Sequence, residues 1–485
     1  MINILKPPPP KELLPEEKIG PTYKRLRLQV FLGAFIGYAG YYLVRKNLAL
    51  AIPGMIQPVE HGGLGYTKLE LGIALSAISI AYAFSKFLMG ALSDRSDARK
   101  FLVIGLVMSS VLMMSVGLFR FATSSVAIIF MFMLVIGWIA GMGWPPCGRI
   151  MVHWFSHNER SFKMSLWNTS HTVGSGLMGN LAAMGTVFIG GLFVADIGGG
   201  IIVEQSWRSV FVFPGAVALL IAVVCFLILR DTPQACGLPP IDKYRNDLSV
   251  KKELTSEAKI PLKELFINYI FRNKVLWMIA LANIFVYLVR YGIGDWSPTY
   301  CQESGLLTSE QSKMAFSLHN YAGVPGTILC GLISAKYFKG RCAPANIIYM
   351  VLVAVFIVLY WKAVPVASFL SDTFSTNLAS TRVTVVYSSL IAIGFFIYGP
   401  VALIGVQAVN LVPKNAAGTA AGFVGLFGYL IGDALLSKVL IGAVADSAHF
   451  GWEATFWIFI VACILAIVFS ATTWKREREA CAING

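Results

Sequence analysis

The sequence predicts an all-α membrane protein whose twelve transmembrane helices form two pseudo-symmetric halves of six helices each. Three observations support this fold class. Of the 485 residues, 56% are hydrophobic and 13% are charged, whereas soluble domains carry about 25% charged residues. Twelve apolar runs approach or exceed the length of about 20 residues that a helix needs to cross a bilayer. The tetrapeptide Tyr-Leu-Val-Arg occurs twice, at Tyr42–Arg45 and at Tyr287–Arg290, which indicates a repeat.

The predicted spans fall into two sets, which are separated by the longest polar stretch of the chain. The first set comprises residues 29–52, 69–92, 101–121, 124–147, 165–190 and 207–229. The second set comprises residues 275–297, 310–333, 344–365, 384–410, 416–441 and 452–473. We therefore divide the chain into an N-terminal segment (1–28), a first half (29–230), a central loop (231–274), a second half (275–474) and a tail (475–485).

The distribution of basic residues predicts the orientation in the membrane, because Lys and Arg collect in cytoplasmic loops. The N-terminal segment, the central loop, the tail and the loops after spans two and eight are basic, whereas residues 191–206 contain neither Lys nor Arg. Both termini are therefore expected on the cytoplasmic side. The net charge of +14 reflects these loops and does not indicate a nucleic-acid partner. The eight cysteines show no metal-ligand spacing, and we expect neither a metal nor a cofactor.

Arg45 and Arg290 end the two copies of the repeated tetrapeptide, inside or beside apolar runs. An arginine at bilayer depth costs at least ~2.5–3.5 kcal/mol, so it usually marks a function. Its planar guanidinium holds a phosphate through two parallel hydrogen bonds. Equivalent arginines in two halves predict one anion site on the pseudo-symmetry axis. The alternative is that each arginine pairs with an acid, for which Asp295 and Asp433 are the candidates.

Further polar side chains within the predicted spans are candidates for the same cavity. Lys86 lies one helical turn from Tyr82, although a lysine near a helix end can also extend to the membrane surface. His171 shares a helix face with Asn168 and titrates near neutral pH, so it could bind a phosphate; a structural hydrogen bond is the alternative. Lys438 fits either an internal ion pair or an extended side chain.

Tyrosines recur on the faces that we assign to the cavity. Most aromatic side chains of membrane helices pack or anchor at the interface, but Tyr38 and Tyr42 lie one turn apart beside Arg45, which favours hydrogen bonding to a ligand. The other members are Tyr82, Tyr287, Tyr291, Tyr398 and Tyr429. Pro- and Gly-containing runs at 141–146 and 398–400 predict breaks in spans four and ten at matching places.

Longer motifs carry a family resemblance. Spans two and eight each end in small residues followed by a basic turn, at 90–100 and 331–341. The remaining motifs are at residues 6–10, 41–47, 79–82, 85–87, 93–96, 141–149, 151–154, 230–233, 236–240, 295–298 and 416–423. On these motifs the sequence resembles, over nearly its whole length, the bacterial organophosphate:phosphate antiporters of the major facilitator superfamily. That superfamily is an established example of repeated halves that move about a site at the bilayer midplane.

The resemblance implies that a phosphate ester is exchanged for internal inorganic phosphate across the bacterial inner membrane. In that family the two repeated arginines hold the phosphate, a role that falls here on Arg45 and Arg290, while His171 and Lys86 occupy substrate-site positions. The positions that resemble the family's cavity lining are Tyr38, Tyr42, Asn168, Tyr287, Tyr398 and Tyr429. Lys46 and Asp295 resemble partners in a charge network between the halves. We expect a functional monomer.

The sequence departs from the family pattern at a few positions. Where the family has an acid in span eight, this chain has Asn320, preceded by His319. Hexose-phosphate members carry an Asp and a Lys in span eleven where Ala421 and Val424 stand here, which favours glycerol 3-phosphate as the ester. The segment Tyr429–Asp433, however, is more similar to the hexose-phosphate branch. Glucose 6-phosphate therefore remains the alternative substrate.

Two other classes of function compete with a transporter. The family contains membrane sensors that bind sugar phosphates, and the sequence does not separate a sensor from a carrier. A membrane enzyme is disfavoured, because the spans contain no HExxH, no GxSxG and no pair of carboxylates. No phosphate-binding GxxxxGK[ST] loop occurs, so exchange would be driven by the gradient of the second substrate.

Overall fold

The computed structural model describes residues 5–93, 95–198, 201–245, 271–410 and 417–483. The first half contains α1 (Glu16–Leu43), α2 (Asn47–Met55), α3 (Lys68–Ser93), α4 (Ala98–Leu118), α5 (Val126–Ala140), α6 (Trp144–Trp154), α7 (His157–Asn168), α8 (Ser170–Ile189) and α9 (Ser209–Ile228). A hairpin of β1 (Val194–Asp196) and β2 (Ile202–Glu204) separates α8 from α9. The short helix α10 (Ile241–Tyr244) follows.

The second half repeats this arrangement with longer helices. It contains α11 (Lys274–Glu303), α12 (Ser309–Phe338), α13 (Cys342–Trp361), α14 (Ala363–Phe374), α15 (Leu378–Asn410), α16 (Ala417–Phe427), α17 (Ile441–Asp446) and α18 (Gly451–Ile483). A π-helical segment, Gly428–Leu440, joins α16 to α17. The predicted all-α membrane fold is therefore confirmed. The basic residues predicted at 251, 252, 259 and 263 lie outside the described residues.

Ten helical segments of the described chain are long and apolar enough to cross a membrane. The predicted spans outside this set are the first, which corresponds to α1 and α2, and the eighth, which is α12. Both have buried faces rich in glycine, tyrosine, serine or amide side chains, which lower their hydropathy. The low hydropathy of these two spans thus comes from small and polar side chains on their buried faces.

Two breaks were predicted from Pro- and Gly-rich runs, and one of them occurs. The fourth span is interrupted where predicted, because α5 ends at Ala140 and α6 begins at Trp144. The prediction for 398–400 is wrong: α15 continues through Pro400. Close packing supports this stretch, since a Cβ placed on Gly399 would lie 2.7 Å from the Cβ of Cys330. The helix α14 and the β-hairpin, both in predicted loops, were not anticipated.

The two halves meet through matching pairs of helices. The π-helical segment packs against α3, and α12 packs against α8, so the second span of each half contacts the fifth span of the other. The close approach of α8 and α12 depends on glycine, because a Cβ on Gly179 would lie 2.3 Å from the Oγ of Ser317. The symmetric pairing leaves spans one and seven, with their arginines, at the centre of the bundle.

Candidate anion-binding site

Arg45 lies at a break in the first span. Helix α1 ends at Leu43, Val44 adopts φ −118° and ψ 28°, and α2 begins at Asn47. The buried Asn47 fixes the break, because its Nδ2 donates to the carbonyl of Val210 over 2.9 Å. The guanidinium carbon of Arg45 lies 3.9 Å from the ring centre of Tyr82, in cation–π geometry. The break thus turns the Arg45 side chain toward the neighbouring second span.

Arg290 lies in the middle of α11, which has no break at this position. Its guanidinium carbon lies 4.5 Å from the ring centre of Tyr398 and 4.8 Å from that of Tyr291. The side chains of Arg45 and Arg290 are both buried, at 6% and 8% exposure. Each cation is therefore stabilised by aromatic faces in an environment from which water is largely excluded.

The two arginines line one small cavity between the halves. Its volume is about 20 Å³, and its wall includes Tyr42, Asn320 and Tyr398. Within the described part of the chain, no carboxylate approaches either guanidinium within 4.0 Å. The Nη1 of Arg45 donates only a long hydrogen bond, of 3.4 Å, to the hydroxyl of Tyr42. Two buried cations thus face one space, and guanidinium N–H groups of this kind are the donors that hold anions in proteins.

The two acids that could have neutralised these arginines pair with lysines instead. Lys46 donates to Oδ1 of Asp295 over 2.5 Å, across the two halves. Lys438 lies 2.9 Å from Oδ1 of Asp433. Ser79 of the first half joins the second pair, because its hydroxyl donates to Oδ2 of Asp433 over 2.6 Å. Lys438 therefore forms an internal ion pair, which was one of the two alternatives.

The π-helical segment explains the spacing of that pair. In a regular α-helix, residues five apart lie about 140° apart around the axis and do not face each other. A π-helix forms its hydrogen bonds between residues five apart, which brings such residues to the same face. Asp433 and Lys438 both lie within Gly428–Leu440, the segment with this geometry. π-Helical turns are frequent at functional sites.

The tyrosines predicted for the cavity form two clusters around the arginines. Tyr82 of the first half packs edge-on against Tyr429 of the second, with ring centres 5.3 Å apart. Tyr287 contacts both Tyr429, at 5.2 Å, and Tyr291, at 5.5 Å. Tyr38 lies behind Tyr42, at 5.6 Å, and also packs against Trp167 at 4.9 Å. Tyr38 therefore supports Tyr42 and is absent from the wall of the small cavity.

Asn320 is a neutral side chain at the position where the resemblance leads us to expect an acid, and both of its polar atoms form a hydrogen bond. Its Oδ1 accepts a bond of 2.7 Å from the hydroxyl of Tyr398, and its Nδ2 donates to the carbonyl of Phe316 over 2.8 Å. The neighbouring His319 is buried, and its Nδ1 donates to the carbonyl of Leu390 over 3.0 Å. The departure from the family pattern thus leaves Tyr398 held in place without adding a negative charge near Arg290.

His171 contacts both halves, and its backbone hydrogen bond is of the structural kind. Its Nδ1 donates to the carbonyl of Asn168. Its ring lies 5.5 Å from that of Tyr42 and 6.5 Å from that of Tyr398. The side chain of Asn168 is exposed, so the contact of this residue with the site is made by its carbonyl.

Lys86 lies outside the small cavity, in a much larger one. This larger cavity has a volume of about 1020 Å³ and is lined by α3, α6, α7, α16 and the π-helical segment, with Tyr429 on its wall. We call the end of the bundle that carries Arg95, Arg99 and Lys100 the basic side. The large cavity lies on the basic side, and the Nζ of Lys86 stands 5.4 Å from the ring of Trp144 within it.

The opposite side of the bundle is closed by contacts between the halves. Lys68, at the start of α3, donates to Oε1 of Glu303 over 2.9 Å. Lys313 donates to the hydroxyl of Thr186 over 2.7 Å. Together with the pair between Lys46 and Asp295, these contacts close that side, while the basic side holds the large cavity. The structure is thus open toward one side of the membrane only.

Ser79 and His319 are side chains near the site that the predictions left without a role, whereas Tyr291 was among the tyrosines assigned to the cavity. Tyr291 contacts Arg290 and also lies 4.4 Å from the Nζ of Lys46. Its position directly after the repeated tetrapeptide was the available signal. Ser79 carried no signal, because a serine in an apolar span is ordinary. His319 was noticed only as the neighbour of Asn320.

Comparisons with known proteins agree with this architecture. The sequence profile of the Major Facilitator Superfamily matches residues 30–437. The chain is 47% identical over 480 residues to a "Glycerol-3-phosphate transporter" of Bacillus subtilis (strain 168), covering 99% of each chain. It is 44% identical over 480 residues to a "Glycerol-3-phosphate transporter" of Haemophilus influenzae, covering 98% of this chain and 97% of that one.

A solved structure shows the same fold at low sequence identity. It is a bacterial homologue of the human lysosomal transporter Spinster, in an inward-facing and occupied conformation. Its TM-score to this chain is 0.65 at 15% identity, covering 94% of this chain and 97% of that one. At this identity the likeness establishes the fold alone.

Proposed function

The chain belongs to the Major Facilitator Superfamily, and from that premise we propose that it imports glycerol 3-phosphate in exchange for inorganic phosphate. The observation that carries this proposal is the pair of buried guanidinium groups, of Arg45 and Arg290, that line one cavity and have no described carboxylate within 4.0 Å. Asp295 also lines this cavity, but it pairs with Lys46. The names of the relatives with 47% and 44% identity support the choice of ester. Members of this superfamily are transporters and not enzymes.

The exchange follows from the charges at the centre of the bundle. Two unpaired cations in a poorly hydrated cavity repel each other and oppose closure of the halves around them. A phosphate group that binds both guanidiniums removes this repulsion, so the halves can close and reopen toward the other side. Release of one phosphate compound restores the repulsion until another binds. The protein therefore changes back to its starting conformation only with a second phosphate compound bound, which makes the transport an exchange.

The other site residues have supporting roles in this mechanism. Tyr42 and Tyr398 hold the arginine side chains by a hydrogen bond and a cation–π contact, respectively. Lys86 provides a positive charge within the large cavity on the basic side and attracts anions toward the site. The ion pair between Lys46 and Asp295 holds the halves together on the opposite side in this conformation.

The wall of the large cavity supports the smaller ester. Ala421 lines this cavity, where it presents a methyl group in place of the acid found in hexose-phosphate carriers. Val424 is buried and does not line it, so it adds no polar group to the cavity. A six-carbon sugar with several hydroxyl groups would lose hydrogen bonds there, whereas glycerol 3-phosphate has fewer to satisfy.

The test is counterflow in proteoliposomes loaded with inorganic phosphate. Uptake of labelled phosphate is expected, and external glycerol 3-phosphate should inhibit it more strongly than glucose 6-phosphate. Stronger inhibition by glucose 6-phosphate would keep the exchange mechanism and overturn the choice of ester. No exchange of phosphate by correctly folded protein would overturn the transporter proposal in favour of a sensor that binds the ester without moving it.

A further inference from the structure

A second cavity of about 550 Å³ lies on the basic side of the first half, apart from the central site. It forms where the start of α1, the start of α7 and the end of α10 come together. The charged residues in its wall are Lys24, Arg27, Glu159, Lys163 and Arg245. Four cations thus face one acid. This excess of positive charge is not used by the proposed transport mechanism.

The single acid is fully engaged and leaves the cavity positive. The Nη2 of Arg27 donates to Oε1 of Glu159, and the Nη2 of Arg245 lies 3.7 Å from Oε2. The same carboxylate accepts from the backbone amide of Ser156 and caps α7. Burial alone would raise the pKa of Glu159, but the hydrogen bonds from Arg27 and Ser156 hold it below its usual value. Glu159 therefore stays charged at neutral pH and offsets one cation.

Several donors in this cavity remain available to a ligand. The Nε of Arg27 is buried and has no hydrogen-bond partner in the structure. The Nζ of Lys163 lies over the rings of Phe31 and Phe162, at 5.5 and 5.9 Å, and forms no ion pair with a described carboxylate. Lys24 likewise has no described carboxylate partner. Orphaned donors beside a positive cavity indicate an anionic ligand.

The surroundings of the cavity place it at the level of the lipid headgroups. Leu28 lies in its wall and Phe162 lies next to it, beneath the Nζ of Lys163; the two side chains are 63% and 69% exposed. Leu32 and Leu166 continue this exposed apolar surface one helical turn further into the spans, at 45% and 43%. Large apolar side chains exposed on a transmembrane bundle face acyl chains. The cavity thus combines cations at its mouth with a lipid-facing wall below them.

We propose that this cavity binds the phosphate-bearing headgroup of an anionic phospholipid. Cations between helices on one face of a membrane protein attract such headgroups, and the exposed leucines and Phe162 would contact the acyl chains. The ligand chemistry is that of a phosphate anion, which a free phosphate compound shares. The lipid-facing wall favours the lipid, because a free anion gains nothing from apolar contact.

The site also connects the first half to the central loop. Tyr244 stacks on Tyr23, with ring centres 4.3 Å apart, and Tyr23 donates to the carbonyl of Pro239 over 2.7 Å. Arg245 of the same segment lies in the cavity wall. A bound headgroup would therefore stabilise the first residues of the central loop against α1 and α7.

The test compares a cavity variant, Lys24→Gln with Lys163→Gln, with a matched variant, Lys336→Gln with Lys339→Gln. The second pair consists of exposed lysines at the end of α12, on the basic side of the second half and away from the cavity. Each full-length protein is delipidated in detergent, and its melting temperature is followed during titration with phosphatidylglycerol, phosphatidylcholine or inorganic phosphate. Arg27 and Glu159 are left unchanged, so the capping contacts of α7 remain.

Phosphatidylglycerol is expected to stabilise the wild type at a concentration about 30-fold lower than it needs for the cavity variant, since each lysine contributes about a factor of five. The matched variant should behave like the wild type, and phosphatidylcholine should have little effect. An equal response of the wild type and the cavity variant to phosphatidylglycerol would overturn the proposal. So would equal stabilisation by phosphatidylcholine.

The phosphate arm distinguishes the lipid from a free anion. Inorganic phosphate also reaches the central site, so only the difference between wild type and cavity variant reports on this cavity. If the wild type and the cavity variant differ as much in their stabilisation by inorganic phosphate as in their stabilisation by phosphatidylglycerol, the cavity is a free-anion site. That result would overturn the lipid assignment. If the double variant fails to fold, native mass spectrometry of Lys163→Gln and wild type gives the same decision: equal retention of phosphatidylglycerol contradicts the proposal.

Discussion

The two copies of Tyr-Leu-Val-Arg have the same sequence and different backbones. In the first half the helix stops at Leu43 and restarts at Asn47, so Arg45 lies in a break. In the second half α11 continues past Arg290 to Glu303. Both arginines nevertheless reach the same cavity. The repeat therefore preserves where the cation is placed, while the backbone that places it has diverged.

The residues that follow the two copies of Tyr-Leu-Val-Arg show what the difference between the two halves does. In the first half Lys46 comes directly after the arginine, and in the second half Asp295 comes five residues later. The two form an ion pair across the halves. The equivalent residues Arg45 and Arg290 thus carry like charges at the cavity and repel each other. The flanking residues Lys46 and Asp295 carry opposite charges and attract each other. A symmetric pair of helices has acquired an asymmetric contact that favours one conformation.

The largest expected effect comes from removing one partner of the asymmetric contact. Asp295→Asn leaves the partly buried Lys46 without a carboxylate, which should destabilise the folded protein by about 3 kcal/mol, the lower end of the range for a broken buried ion pair. Thermal unfolding in detergent measures this loss. The double variant Lys46→Gln with Asp295→Asn should lie closer to the wild type than Asp295→Asn does, because no buried charge remains. Additive losses in the double variant would show that the two side chains do not act as a pair.

A smaller effect is expected from replacing each of the two guanidinium groups by the ammonium group of lysine. Arg45→Lys and Arg290→Lys keep the charge and lose the planar fork, which should reduce phosphate counterflow by about 10- to 100-fold in each variant, the equivalent of one charge-assisted hydrogen bond. Equal losses would mean that the two copies contribute equally despite their different backbones. Wild-type exchange by either variant would refute bidentate binding by that arginine.

The smallest effect is expected at the tyrosines that position the arginines. Tyr398→Phe removes the hydroxyl that donates to Asn320 and keeps the ring beside Arg290. The loss of one neutral hydrogen bond should cost about 1 kcal/mol, which is about fivefold in the half-saturating phosphate concentration. Tyr42→Phe, which removes the acceptor of a long bond from Arg45, should cost less. A larger loss at Tyr42 would reverse the order that the geometry predicts.

The fold was largely predictable, because each element rests on a signal within the chain. Apolar length identified most spans, and the tetrapeptide identified the repeat. The break at Arg45 was not predictable, since it depends on a hydrogen bond from Asn47 to Val210 that joins residues 163 apart in the chain. The continuity of α15 through Pro400 also depends on neighbours, here the packing of Gly399 against Cys330.

The prediction of the site had a different limit. The arginines could be singled out because charge inside an apolar span is expensive wherever it occurs. Whether each arginine forms an ion pair with an acid depends on distances in the folded protein, which the spacing of residues in the sequence does not give. Asp433 and Lys438 illustrate this, because residues five apart lie on different faces of an α-helix and on the same face of the π-helical segment. Sequence patterns do not specify that change of helix type.

The volume of the central cavity bears on how tightly any ligand can bind. About 20 Å³ accommodates roughly one water molecule, so a phosphate group enters only when the surrounding side chains move apart. The measured dissociation constant is then the intrinsic one divided by the fraction of molecules in the expanded state. Substitutions that enlarge the cavity without removing a polar group, such as Phe316→Leu in its wall, would raise this fraction. Affinity in this protein is therefore adjustable from residues that make no polar contact.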